Sequence, residues 1–491
     1  MGDFFTTGQA LDPETAQFAE NQRGAGSTTG IAQDRSVVNQ PQLSNFSAET
    51  VNINTYGQGP DRTDTTNSSS PQNNANIKRC QAELKSSEEV LERLLPVLKA
   101  SRVALLRVRL LSDGLRSPNC KLKILRLASC EFKRGCAALA SSLKSNPAHL
   151  RVLDLAQNVL QDGDVENLSE FLAEPLCQLE TLDLNSNKMT AVGCGSLTIA
   201  LSGSSALKEL DLSFNSLMDE GAVRISDWLR NPQCRLKILR LASCKFKRGC
   251  AALASSLKSN PAHLRVLDLA QNVLQDGDVE NLSQFLAEPL CQLETLDLNS
   301  NEMTAVGCGS LTIALSGSSA LKELDLSFNS LMDEGAVRIS DWLRNPQCTL
   351  KILRLASCQF TERGCAALAS SLKSNPAHLR VLDLAQNDLQ DGDVENLSQF
   401  LAEPLCQLEK LELNYCTLNV ACLRSLTLAF SGSSALKELD LSGNRLMDEG
   451  AILLSDWLRK TQCELKILRL ANSIDKFCAG HVITSGLMPR S

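Results

Sequence analysis

Leucine recurs along this chain in one short phrase, Leu-x-x-Leu-x-Leu-x-x-Asn/Cys. The phrase opens at Leu122, Leu150, Leu179, Leu207 and Leu236, in steps of 28, 29, 28 and 29 residues. Thirteen openings are visible, and the last, at Leu465, has Ser473 in the final place. The pattern predicts a short strand in each unit, with Leu150, Leu153 and Leu155 pointing inward and the residues between them outward. Asn158 is expected to turn the chain, its amide meeting backbone groups that the turn leaves unpaired. Cys130, Cys244, Cys358 and Cys416 take the same place as small buried groups with a weak donor. The second half of each unit reads as helix. Val165, Leu168, Phe171 and Leu172 keep one apolar face between Gly163 and Pro175. One unit cannot bury that face alone, whereas stacked neighbours can. Thirteen strands about 4.8 Å apart would line an arc of roughly 60 Å.

A larger period lies over the small one. Leu122 to Arg235 returns as Leu236 to Thr349 with four changes in 114 residues: Glu131 to Lys245, Glu170 to Gln284, Lys188 to Glu302, and Arg235 to Thr349. Leu350 to Glu464 is a third, more diverged copy with one extra residue. At this copy number the phrase is the leucine-rich repeat signature. Alternating units of 28 and 29 residues, with Cys and Asn trading places, resemble the ribonuclease-inhibitor class of these repeats over about Leu105 to Leu470. Arg134-Gly135-Cys136-Ala137-Ala138-Leu139 and Glu174-Pro175-Leu176-Cys177-Gln178-Leu179-Glu180 look like the repeat arrays of NOD-like receptors. The segment Ser87 to Arg102 resembles the approach to that array in the large fish-type subgroup. The resemblance implies an α/β leucine-rich repeat solenoid, a horseshoe with parallel inner sheet and outer helices. It also implies noncatalytic protein recognition in innate immune sensing or its regulation.

Composition divides the chain. Residues 1–76 hold eight acids, three arginines, no Lys and no Cys, and so are read as a disordered polar tail. Residues 77–121 are expected to form a helical cap and partial repeat, 122–472 the array, and 473–491 an irregular tail. The whole chain is −7 and the tail −5, so the remainder is nearly neutral and lacks a basic stripe with interleaved aromatics; no nucleic acid is expected. Met1 to Glu20 has no apolar core of a signal peptide, and no run approaches a membrane span. Nineteen cysteines, most at fixed places in the unit, then suit reduced structural thiols in the cytoplasm. Met1-Gly2-Asp3 fits the loose acylation pattern, but its acidic third residue argues against use. The sequons at Asn45 and Asn67 are expected to be silent. Residues 49–56 alternate apolar and polar, either plain tail or a strand-adding motif.

The chain offers little for chemistry. No Gly-x-x-x-x-Gly-Lys-Ser/Thr occurs, so the NACHT module of a full NOD-like receptor, and a nucleotide site, are missing from it. Gly-x-Ser-x-Gly and His-Glu-x-x-His are absent too, and no metal or cofactor is expected. His149, His263 and His378 are one loop position copied three times, which suits structure better than a catalytic base. Trp228, Trp342 and Trp457 sit in Ser-Asp-Trp-Leu-Arg and read as packing between helices, or as an anchor on the helix side.

The outward strand positions are the candidate binding surface. The fifth position of the phrase reads Arg126, Asp154, Asp183, Asp211, Arg240, Asp268, Asp297, Asp325, Arg354, Asp383, Glu412, Asp440 and Arg469. Nine acids against four arginines either solvate the sheet or steer a basic protein patch. Phe214, Phe328 and Tyr415 are the aromatic candidates on this face. Tyr415, Lys410 and Glu412 are unique to the third copy, so residues 408–422 are where a specific protein ligand is sought first. Two rival readings remain: a ribonuclease-inhibitor-like cap on a basic enzyme, and a regulator of a small GTPase, for which no residue set is evident. Both ends look unfinished: either the C-terminal tail improvises a cover for the last unit, or the chain is a shortened version of a longer relative.

Overall fold

The computed structural model describes residues 111–130, 135–203, 206–317, 320–430, 435–460, 465–471, 473 and 483–484. The expected tail over 1–76, most of the N-terminal cap, the 49–56 stretch, both sequons, Glu131 and His481 lie outside the described residues.

Every leucine phrase within them forms a three-residue strand. Strands β1 to β13 are Ile124–Arg126, Val152–Asp154, Thr181–Asp183, Glu209–Asp211, Ile238–Arg240, Val266–Asp268, Thr295–Asp297, Glu323–Asp325, Ile352–Arg354, Val381–Asp383, Lys410–Glu412, Glu438–Asp440 and Ile467–Arg469. Helices α1 to α12 follow them in alternation: Cys136–Ser145, Asp162–Leu172, Ala191–Gly203, Met218–Leu229, Cys250–Ser259, Asp276–Leu286, Ala305–Leu315, Met332–Leu343, Glu362–Ser374, Asp391–Leu401, Val420–Ala429 and Met447–Lys460. The strands pair in sequence order, all parallel, with each central leucine opposite the next. Helix neighbours need about 8–10 Å and strand neighbours about 4.8 Å, so each added repeat turns the array slightly toward its sheet.

The core is one continuous layer between sheet and helices. Leu153, Leu182 and Leu210 are fully buried at the strand centres, and Leu155 and Leu184 follow them inward. Val165, Leu168, Phe171 and Leu172 close over them from the helix, as the period predicted. Burying one such side chain stabilises by about 1.5–3 kcal/mol. Trp228, Trp342 and Trp457 are buried, which settles them as packing residues.

A polar ladder runs through this apolar layer. The buried Asn215 donates from Nδ2 to the carbonyls of Leu184, Leu212 and Ser213, and its Oδ1 accepts from the Met189 amide. It thereby ties its own turn to the preceding unit. Cys244 replaces it with a thiol donating to the Leu212 and Ala242 carbonyls. In the last unit Ser473 Oγ donates to the Leu441 carbonyl at 2.7 Å, so serine serves there as well.

A second ladder joins the helix starts. Asp162, first residue of its helix, accepts from the amides of Thr190 and Gly193 at the start of the next. A Cβ at Gly193 would strike that carboxylate, so the approach depends on glycine. Asp219 likewise accepts from Lys247, Arg248 and Gly249. Burial raises its pKa, but these three donors outweigh it and hold the carboxyl below its ordinary value.

The junctions between blocks repeat one another. Between β4 and β5 the Leu212, Phe214 and Met218 amides donate to Arg240, Ala242 and Cys244; between β8 and β9 the Leu326, Phe328 and Met332 amides donate to Arg354, Ala356 and Cys358 at the same distances. At the far end, within the stretch read as irregular, Ile483–Thr484 forms a short strand β14, antiparallel to β13. It covers part of an otherwise open sheet edge.

Candidate protein-recognition face

The central leucine of each strand points into the core, so the residues on either side of it face away from the helices. The charged row expected from the sequence lies there, half-buried, and so does the row two residues before it, in which seven of thirteen residues are Ile or Val. In register, Asp154, Asp183 and Asp211 are neighbours, then Arg240; Asp268, Asp297 and Asp325, then Arg354; Asp383, Glu412 and Asp440, then Arg469. Arg126 heads the row beside Asp154.

Each aspartate also has a local task. Asp154 Oδ1 accepts from the Ala156 amide, Asp211 from Ser213, Asp325 from Ser327 and Asp440 from Ser442. Asp183 and Asp297 take both the amide and the side-chain Nδ2 of Asn185 and Asn299. The side chain therefore closes the turn after its strand, which accounts for Asp at this position without any ligand.

Packing so many carboxylates along one row changes their charge. Burial first, then the carboxylates of Asp211 and Asp154 on either side, push Asp183 up to about 7. Burial, Asp325 and Asp268 push Asp297 up to about 8. Both are the middle members of an acidic triplet. Asp268 rises less, to about 6, mainly through burial, with Arg240 beside it opposing the shift. Asp383 reaches about 7 through burial and then Glu412. Near neutral pH the row thus carries less negative charge than its count of nine acids implies, and its reach toward a basic surface is shorter than the sequence suggested.

The third copy departs from this scheme where expected. Lys410 Nζ pairs with Glu412 Oε1 at 2.8 Å on the same strand. Phe214, Phe328 and Tyr415 are about half exposed, at 49%, 48% and 53%. They stand on the turn after the strand, at the rim of the sheet and not on it. All three have φ of +57°, a turn conformation shared by Ser129, Gln157 and Ser186 in other units. That conformation aims the Phe214 amide at the Ala242 carbonyl of the next unit, 2.7 Å away. Tyr415 lies over Gly443, where any Cβ would collide with the ring. Phenylalanine occupies the Gly443 position in the first two copies, so the third copy moves its aromatic one unit earlier and clears space for it.

Sequence reasoning missed a second charged row. The residue after the first leucine of each phrase supplies ten cations and three glutamates along the edge where the strands begin. Glu180 pairs with Arg151 and Lys208, Glu294 with Arg265 and Lys322, and Glu409 with Arg380 and Lys437. The signal was present in the same periodic reading, one position from the leucine. On the helix side, Val192, Ile199, Val306 and Ile313 are exposed on two copies of one helix.

Every described cysteine is free, and burial first, then Asp164, pushes Cys136 up to about 12. His263 Nε2 lies 2.6 Å from Arg235 Nη1 at the strand edge. No helix among the described residues is long and apolar enough to cross a membrane.

Comparison with known proteins supports the repeat reading. The Leucine Rich repeat family matches at nine places, including residues 146–169, 260–283 and 432–455. The chain is 36% identical to the ribonuclease inhibitor of Sus scrofa over 364 residues, covering 74% of this chain and 79% of that protein. It is 35% identical to the ribonuclease inhibitor of Mus musculus, covering 71% and 76%. It is 38% identical over 364 residues to the human NACHT, LRR and PYD domains-containing protein 14, covering 74% of this chain but 33% of that protein. The chain therefore spans about a third of the length of its NACHT, LRR and PYD relatives.

Proposed function

Because the chain belongs to the leucine-rich repeat proteins of the ribonuclease-inhibitor-like class, we propose that it recognises a protein partner through its strand face, without catalysis, in innate immune sensing or its regulation. Leucine-rich repeat scaffolds of this kind are typical of protein–protein recognition, and the immune setting extends from the names of the NACHT, LRR and PYD relatives. The observation that carries the reading is the strand face itself. One outward row of charged side chains and a second that alternates Ile or Val with Thr, Glu and Lys run over thirteen strands, with half-exposed aromatics at the rim. Such a surface offers polar register along its length and a few aromatic anchors. Within it, Lys410, Glu412 and Tyr415 are the specific patch, since they occur in one block alone whereas the other residues recur in at least two.

Cross-linking of the whole chain to a partner captured from its native source tests this. Links are expected on strand-face lysines such as Lys410, and Tyr415→Ala with Lys410→Glu should weaken capture about tenfold or more. Links confined to the helix side would sink the reading.

A second reading, a cap on a basic ribonuclease, is favoured by the likeness to two ribonuclease inhibitors along most of their length. The reduced charge of the acidic row argues against it. Titrating a basic ribonuclease with the whole chain decides, and unchanged RNA hydrolysis ends that reading.

A further inference from the structure

The edge where the strands begin is most cationic between β4 and β6. Lys208, Lys237 and Arg265 occupy one position on three hydrogen-bonded neighbours. The Lys237 amide donates to the Lys208 carbonyl and the Arg265 amide to the Lys237 carbonyl, each at 2.7 Å. Their side chains therefore start about 4.8 Å apart, a spacing at which like charges repel. Glu180 relieves Lys208 and Glu294 relieves Arg265. Lys237, between them, is exposed and has no ion pair among the described residues. Two residues before it, the exposed Arg235 adds a further cation beside His263. Burial first, then Arg235 and Arg265, lowers the His263 pKa, which leaves the imidazole free to accept from Arg235.

We propose that this edge of β4 to β6 docks an extended acidic segment of a protein partner, its carboxylates set against Lys237 and Arg235. The inference rests on recognition by the strand side of the array and names the chemistry of what is recognised there. Three strands span about 10 Å, the length of three extended residues, so a short acidic run suffices. A nucleic acid fits less well. The row offers no aromatic ring for stacking bases. A glutamate interrupts it every fourth strand, about 19 Å apart, and the aspartate row lies only about 10 Å away along the strands. A nucleic-acid strand with a phosphate charge every ~3.4 Å meets both.

The test uses the whole chain and a fluorescent short Asp/Glu peptide, with an Asn/Gln peptide and a single-stranded oligonucleotide of equal length as comparators. The variant is Arg235→Thr with Lys237→Glu. Thr is what the next copy carries at Thr349, and Lys237 has no side-chain bond among the described residues to lose. Salt-sensitive binding of the acidic peptide is expected, about tenfold weaker in the variant at an unchanged melting temperature. Absence of acidic-peptide binding at low salt, equal binding by the variant, or tighter binding of the oligonucleotide would overturn the proposal. Cross-links of a captured protein elsewhere on the strand face, without acidic-peptide binding, would overturn it too while leaving strand-face recognition standing.

Discussion

Asp297 shows how far a single position departs from its letter. The leucine period places it on the strand face, but its charge depends on Asp268 and Asp325, which lie on other strands. Raised to about 8, it binds its proton more tightly folded than unfolded. Its contribution is then most favourable at pH below its unfolded value near 4, and that stability is lost as pH rises through about 8. Asp297→Asn keeps the acceptor for the Asn299 amide and removes the charge. Melting curves should show the variant a few degrees more stable than the parent at pH 8.5 and no more stable at pH 4. An equal gain at both would remove the electrostatic account. The row was legible in the sequence because it is periodic. The turn-closing role of the aspartates was not, since nothing in the letter says whether a carboxylate faces a ligand or its own backbone.

The repeat unit was legible almost whole, since the leucine phrase and helical face fix its strand and helix. What the period could not give was how neighbouring units hold each other. The Asn215 ladder predicts a ranking of substitutions. Asn215→Ala leaves the buried Met189 amide without a partner, removes one of the donors to each of the Leu184, Leu212 and Ser213 carbonyls, and should cost about 2 kcal/mol in a denaturant titration. Asn215→Cys, which reproduces the arrangement at Cys244, should lose roughly half as much. The reverse order would contradict the role given to the amide. Gly443 and Tyr415 form a coupled pair of the same kind. Gly443→Ala should destabilise by about 1–3 kcal/mol through overpacking against the ring. The loss should shrink in a Tyr415→Ser background, the residue carried at Ser186 and Ser300; a purely additive double mutant would show that the ring does not need the glycine.

At the scale of the molecule, the array is held by contacts between neighbours, so its stability is close to a sum of unit and junction contributions. The sequence showed thirteen units and their order. The strand β14 was beyond its reach, because two residues pairing across the end of a sheet have no period to announce them. Since the β4–β5 and β8–β9 junctions match, excision of Leu236 to Thr349 should leave a folded protein with a shorter sheet and an unchanged circular dichroism per residue. Loss of cooperative melting would show that the blocks are not interchangeable.

That identity of junctions also gives the folding chain a choice. From β4 it has two acceptable continuations: β5, which follows directly, and β9, which presents the same surface after a detour of a whole block. Only geometry along the chain separates them. Closing the detour carries an entropic penalty that grows with the logarithm of its length, a few kcal/mol for a block of this size. The near partner also leaves the ribosome first. Correct topology is thus enforced by order of arrival more than by complementarity, and a chain refolded from denaturant, with every block present at once, should yield a minor population with the middle block looped out and open to protease.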